Sequence, residues 1–128
     1  MKLKYYARNL VGSFIGLCAL TGIVKTIFQY TAQSYETIGT IFGITTMLLG
    51  LLFVGYTNTA ISSDNKVQDT LYVHLILVFL LFTTDIIFGA SSLLGLILRN
   101  IGYFIALQLG VYLYMKRNSQ KLHLISKN

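Results

Sequence analysis

Four long, nearly uninterrupted apolar runs, at residues 9–30, 37–56, 71–89 and 92–115, constrain this chain more than anything else in it. A hydrocarbon layer ~30 Å thick is crossed by ~20 mostly apolar residues in a helix. Inside lipid every backbone N–H and C=O has to be satisfied within the protein, and a helix does this within each segment. The runs are continuous rather than alternating with period two, which disfavours barrel strands. With 55% hydrophobic and 11% charged residues, too little polar surface remains to cover a water-soluble globule. The pattern predicts an all-α integral membrane four-helix bundle of two antiparallel transmembrane hairpins. No Pro/Gly/Ser-rich linker divides it, so residues 1–128 are read as a single membrane domain.

The net charge of +6 sorts to the ends of the runs. Lys2, Lys4 and Arg8 precede the first, Lys66 lies in the polar segment 57–70, and Lys116, Arg117, Lys121 and Lys127 follow the last, so eight of ten basic residues fall on one side. The positive-inside bias assigns that side to the cytoplasm, with both termini there and residues 116–128 as a cytoplasmic tail. Tyr5, Tyr6, Tyr56, Tyr72, Tyr112 and Tyr114 would then mark the inner interface, and Tyr30 and Tyr35 the outer one. Because the bases flank apolar runs, they are read as topology signals rather than as a nucleic-acid-binding face. Residues 1–8 and the first run resemble a secretory signal, but no A-x-A-like site follows, and a retained span is expected. Cys18 is the only cysteine, so neither an intrachain disulfide nor a multi-cysteine metal site can form, and Leu17 before it argues against lipidation.

Two groups of residues stand out within the runs. Gly12 and Gly16, Gly39 and Gly43, and the stripe Gly102, Ala106 and Gly110 are small-residue faces that let helices approach closely, either inside the bundle or as the seam of a homodimer. Lys25, Glu36, Asp85 and Arg99 are ionisable residues in apolar surroundings, where a lone charge costs ~2.5–3.5 kcal/mol on insertion scales. Asp85 and Arg99 lie at similar distances from the turn near residues 90–91, which predicts a salt bridge between antiparallel helices. The four charges are either a relay for ions or a hairpin lock, with Lys25 snorkelling outward and Glu36 at the interface.

Conventional chemistry finds little support. His74 lacks companion ligands and is read as a structural hydrogen-bonding or interfacial residue. No phosphate loop, nucleophile elbow or H-E-x-x-H helix occurs, so neither an enzyme nor a cofactor is expected. The polar segment and tail leave Asp64, Lys66, Asp69, Lys116, Arg117 and Lys121 as candidate partner-binding residues. Beyond Lys116 the bases alternate with Leu122, Leu124 and Ile125, which fits a solvated end, an anionic leaflet surface or a docked cytosolic protein.

The opening Gly12-Ser13-Phe14-Ile15-Gly16, the polar middle segment, the stretch from Asp69 to His74, and the exit Tyr112-Leu113-Tyr114-Met115-Lys116-Arg117-Asn118 together resemble one family. It comprises the small four-span proteins encoded beside LytTR-type transcription regulators in low-GC Gram-positive bacteria, the HdrM/BrsM-type membrane inhibitors. The resemblance spans most of the chain in layout and rests on short motifs. It implies a bacterial cell-membrane protein that binds and restrains a cytosolic LytTR-type DNA-binding regulator, with Gly12 and Gly16 as packing positions and His74 as the polar mark of the third span. Two further classes fit the residues alone: a small dimeric ion or solute transporter, and an immunity protein against a membrane-active peptide.

Overall fold

Each apolar run becomes one helix, and each helix is longer than the run that specifies it. The computed structural model describes residues 2–31, 36–62, 65–87 and 92–125. They form α1 (Lys2–Thr31), α2 (Glu36–Ile61), α3 (Lys66–Ile87) and α4 (Leu93–Ile125), with no strand among them. All four are long and apolar enough to cross a membrane. Isoleucines, leucines and phenylalanines such as Ile38, Phe53, Phe79, Ile87 and Leu93 lie more than 60% exposed along their flanks. Water would penalise such a surface and lipid does not, so the all-α four-helix bundle is that of a multi-pass membrane protein.

The helices extend because their terminal polar side chains find partners inside the protein. Segment 57–70, expected as a polar loop, is mostly helix, and among the described residues only Ser62 and Asn65 of that stretch fall outside one. Thr57, Thr59 and Thr70 return their hydroxyls to the carbonyls of Phe53, Gly55 and Lys66, one turn back in their own helices. Asn65 starts α3, accepting the first backbone bond from Asp69 N–H at 2.9 Å. Ser92 caps α4, its hydroxyl accepting from Gly95 N–H at 3.4 Å. The tail expected from residue 116 instead continues α4 to Ile125.

Contacts across the bundle place the start of α1, the end of α2, the start of α3 and the end of α4 together, here called the termini end; the opposite end is the distal end. α2 and α4 are the most intimate pair, α1 packs on α2 and α3, and among the described residues the backbones of α1 and α4 do not approach closely. Leu17, Leu51, Leu77, Leu81, Ala106 and Leu107 form the core.

The close approach sits at Gly55 and Gly110. A Cβ on Gly110 would run into the carbonyl of Leu52 and lie 2.7 Å from Tyr56 N, and one on Gly55 would strike the carbonyl of Leu107. Gly110 and Ala106 thus pack as expected, whereas Gly12, Gly16 and Gly102 face open space with nothing within 4 Å of an added Cβ. Gly12 and Gly16 are not packing positions within the bundle, because α1 turns a different stripe, Ser13 and Leu17, towards its neighbours, and Gly102 on α4 likewise meets no neighbouring helix. Gly43 makes ordinary contact with Val24 at 3.6 Å, and Gly39 lines a cavity.

Candidate functional site

Two polar regions lie at opposite ends of the bundle, separated by its leucine core. At the termini end, tyrosines stitch the helices together. Tyr5 donates to the carbonyl of Asn58 at 2.9 Å, and Tyr6 donates to Asp69 Oδ1 at 2.7 Å, joining α1 to α2 and α3. Asn58 Nδ2 donates to Ser13 Oγ at 3.1 Å between two buried side chains. On the other flank Lys66 Nζ donates to Tyr114 OH at 3.2 Å and lies 5.1 Å from the centre of that ring. Tyr114 meets Tyr56 edge to face, and Arg117 Nη1 donates to Tyr56 OH at 3.1 Å.

These bonds revise the surface expected for a partner. Asp69 is only 6% exposed and committed to Tyr6, so it is a structural acceptor rather than a docking residue. A carboxylate so placed needs a donor, and a charge-assisted bond of this kind contributes ~1.5–3 kcal/mol. Lys66 is half-buried against Tyr114. Lys116 and Arg117 are exposed on the helical extension of α4, together with Asn118, Ser119 and Gln120. Lys121 continues that helix, with its side chain outside the described residues, and Asp64 lies outside them altogether. Of the inner tyrosine belt, Tyr5, Tyr6, Tyr56 and Tyr114 occupy the termini end as bonded residues; Tyr35 and the side chain of Tyr30 lie outside the described residues.

His74 is fully buried, more than two turns into α3 because the helix begins at Lys66. Its Nδ1 lies 3.4 Å from Gln108 Nε2 on α4, the structural contact expected of it. Among the described residues no three His, Cys, Asp or Glu side chains converge.

At the distal end Arg99 Nη2 and Asp85 Oδ2 form the anticipated ion pair at 2.8 Å, and Asn100 Nδ2 approaches the same oxygen at 3.4 Å. Asn100 is buried and anchored by the Leu96 carbonyl at 2.9 Å. The pair opens onto a cavity of about 660 Å³, whose wall also includes Lys25, Thr84 and Tyr103. Three of the four intramembrane charges therefore share one chamber. Glu36 opens α2, its side chain lying outside the described residues.

Leu17, Leu51, Leu77 and Leu107, each at most 2% exposed, pack at the centre of the bundle between the chamber and the Asn58 region. A second cavity of about 650 Å³ beside Ser13 and Asn58 shares Leu17 and Leu20 with the chamber's wall. Comparison with family models, curated proteins and solved structures finds no match.

Proposed function

We propose that this protein is a membrane-bound antagonist that holds a cytosolic LytTR-type transcription regulator against the bilayer. The observation that carries the reading is the continuation of α4 beyond its apolar run. Its 33 residues make a rod about 50 Å long, against ~30 Å of hydrocarbon. If the termini end is cytoplasmic, as the distribution of basic residues favours, the surplus stands in the cytosol as a basic helix carrying Lys116 and Arg117. The Tyr56–Tyr114 contact and the Lys66 bond brace its root.

A preformed helix gives up less conformational entropy on binding than a loose tail would. Its positive charge suits an acidic patch on the regulator, away from the basic face that meets DNA. Lys4 and Arg8 at the start of α1 add exposed charge to the same end. An ion pathway through one copy is the weaker reading, because fully buried leucines, Leu51, Leu77 and Leu107, occupy the centre of the bundle.

Deleting the protein in a host carrying the cognate regulator should raise transcription of the regulator's targets, and wild-type re-expression should return it to baseline. A K116E/R117E variant should insert normally yet fail to restore repression. Target transcription that is unchanged by deletion would remove the antagonist reading.

A further inference from the structure

The distal chamber has the composition of a binding site for a molecule with two unlike ends. Most of its wall is hydrocarbon or aromatic, from Phe14, Leu20, Val24, Met47 and Leu81, which favours an apolar chain. At one side the wall turns polar with Lys25, Asp85 and Arg99. Its volume of about 660 Å³ lies within the ~300–1,000 Å³ typical of small-molecule sites. The chamber lies between α1, carrying Lys25, and α4, carrying Arg99, with α2 and α3 completing its wall.

Charge decides the sign of the polar end. The described side chains facing the chamber carry two cations and one carboxylate, and the single ion pair among the described residues, Asp85–Arg99, consumes one of each. Among the described side chains a positive charge remains on Lys25, exposed at the chamber's edge beside an apolar wall, which favours an opposite charge there. The Arg99 guanidinium spends an Nη2 donor on Asp85, while its Nε donor is buried and has no hydrogen-bond partner among the described residues. Guanidinium forks match oxyanions, which accept several N–H groups at once.

We infer that the chamber binds a single-chain amphiphile with an oxyanion headgroup, a carboxylate or a phosphate monoester, its headgroup held by Lys25 and Arg99 and its chain laid along the apolar wall. Binding here does not depend on the cytosolic partner. Gly43, in the wall beside Val24, keeps the chamber open because it projects no side chain into it.

The test uses the full chain in lipid nanodiscs and three chain-matched probes: a long-chain fatty acid, an alkyl phosphate and an alkyl alcohol, at a pH where both acids are ionised. Native mass spectrometry reads occupancy. One or both oxyanion probes should bind at least about tenfold more tightly than the alcohol, the ratio expected for a charge-assisted hydrogen bond. Which of the two binds better identifies the headgroup source. K25Q should weaken oxyanion binding by about tenfold while leaving the alcohol unchanged, and G43L should abolish binding of every probe. Both variants retain the Asp85–Arg99 pair; because Gly43 faces Val24 across the α1–α2 contact, G43L is read only alongside thermal unfolding that matches wild type, and K25Q carries the test where it does not. Equal binding of alcohol and acids, oxyanion affinity indifferent to K25Q and G43L, or no binding of any probe would each overturn the inference.

Discussion

Replacing Gly110 with leucine is expected to prevent α2 and α4 from closing, a loss matched among the small residues only by the same change at Gly55. The added Cβ would meet main-chain atoms of Leu52 and Tyr56, and main chain in a helix cannot swing aside as a side chain does. The two helices would have to separate, breaking the most intimate contact in the bundle and exposing Leu51 and Leu107, both fully buried. Side-chain overpacking costs ~1–3 kcal/mol and occasionally more; a backbone collision at the central crossing belongs at or above the upper end, about 3 kcal/mol. G55L should behave alike, since its Cβ strikes the Leu107 carbonyl. G12A, G16A and G102A meet open space and should melt within a degree or two of wild type. Unfolding of the purified variants in mild detergent checks the order, and a G110L protein as stable as wild type would show that the crossing is not where the helices meet.

The second large effect concerns the distal ion pair. Removing either partner, by D85A or R99A, leaves the other charge in the bilayer-spanning part of the bundle without its counter-ion. Breaking a fully buried pair costs ~3–5 kcal/mol. Arg99 and Asp85 retain 38% and 23% exposure of their side chains, and Asn100 offers Asp85 a second donor. About 2 kcal/mol per single change is the discounted expectation. The exchange D85R/R99D restores opposite charges at the same depth and should recover more than half of that loss. Strictly additive losses in the double-mutant cycle would mean that the two groups do not interact.

How far such features were legible depends on whether they are local. The four helices were legible because each is written in one continuous apolar run, and the Asp85–Arg99 pair because both residues are counted from the same short turn. The helix ends were not, since Thr57, Thr59 and Thr70 look like loop residues until their hydroxyls are seen bonded to carbonyls of their own helix. Small-residue spacing identified Ala106 and Gly110 but also named Gly12, Gly16 and Gly102, because spacing places residues on one face without saying what that face meets. Gly55 went unnoticed inside the second run, although it is half of the tightest crossing. The only signal that could have flagged it is the string of glycines Gly43, Gly50 and Gly55 along α2.

The Tyr6–Asp69 bond spans 63 residues of sequence. It requires knowing that α1 lies beside α3, which no local pattern contains. The bond makes Asp69 part of the scaffold and leaves Lys116 and Arg117, on the α4 extension, as the exposed charges among the candidate partner-binding side chains that are described.

That extension carries the central claim, and membrane fractionation of the regulator tests it most directly. With the wild-type protein present, the LytTR-type regulator should sediment with membranes. With the protein truncated before Lys116, or carrying K116E/R117E, the regulator should move to the soluble fraction while the four spans remain in the membrane. A regulator equally soluble in the presence and absence of the wild-type protein would contradict the account.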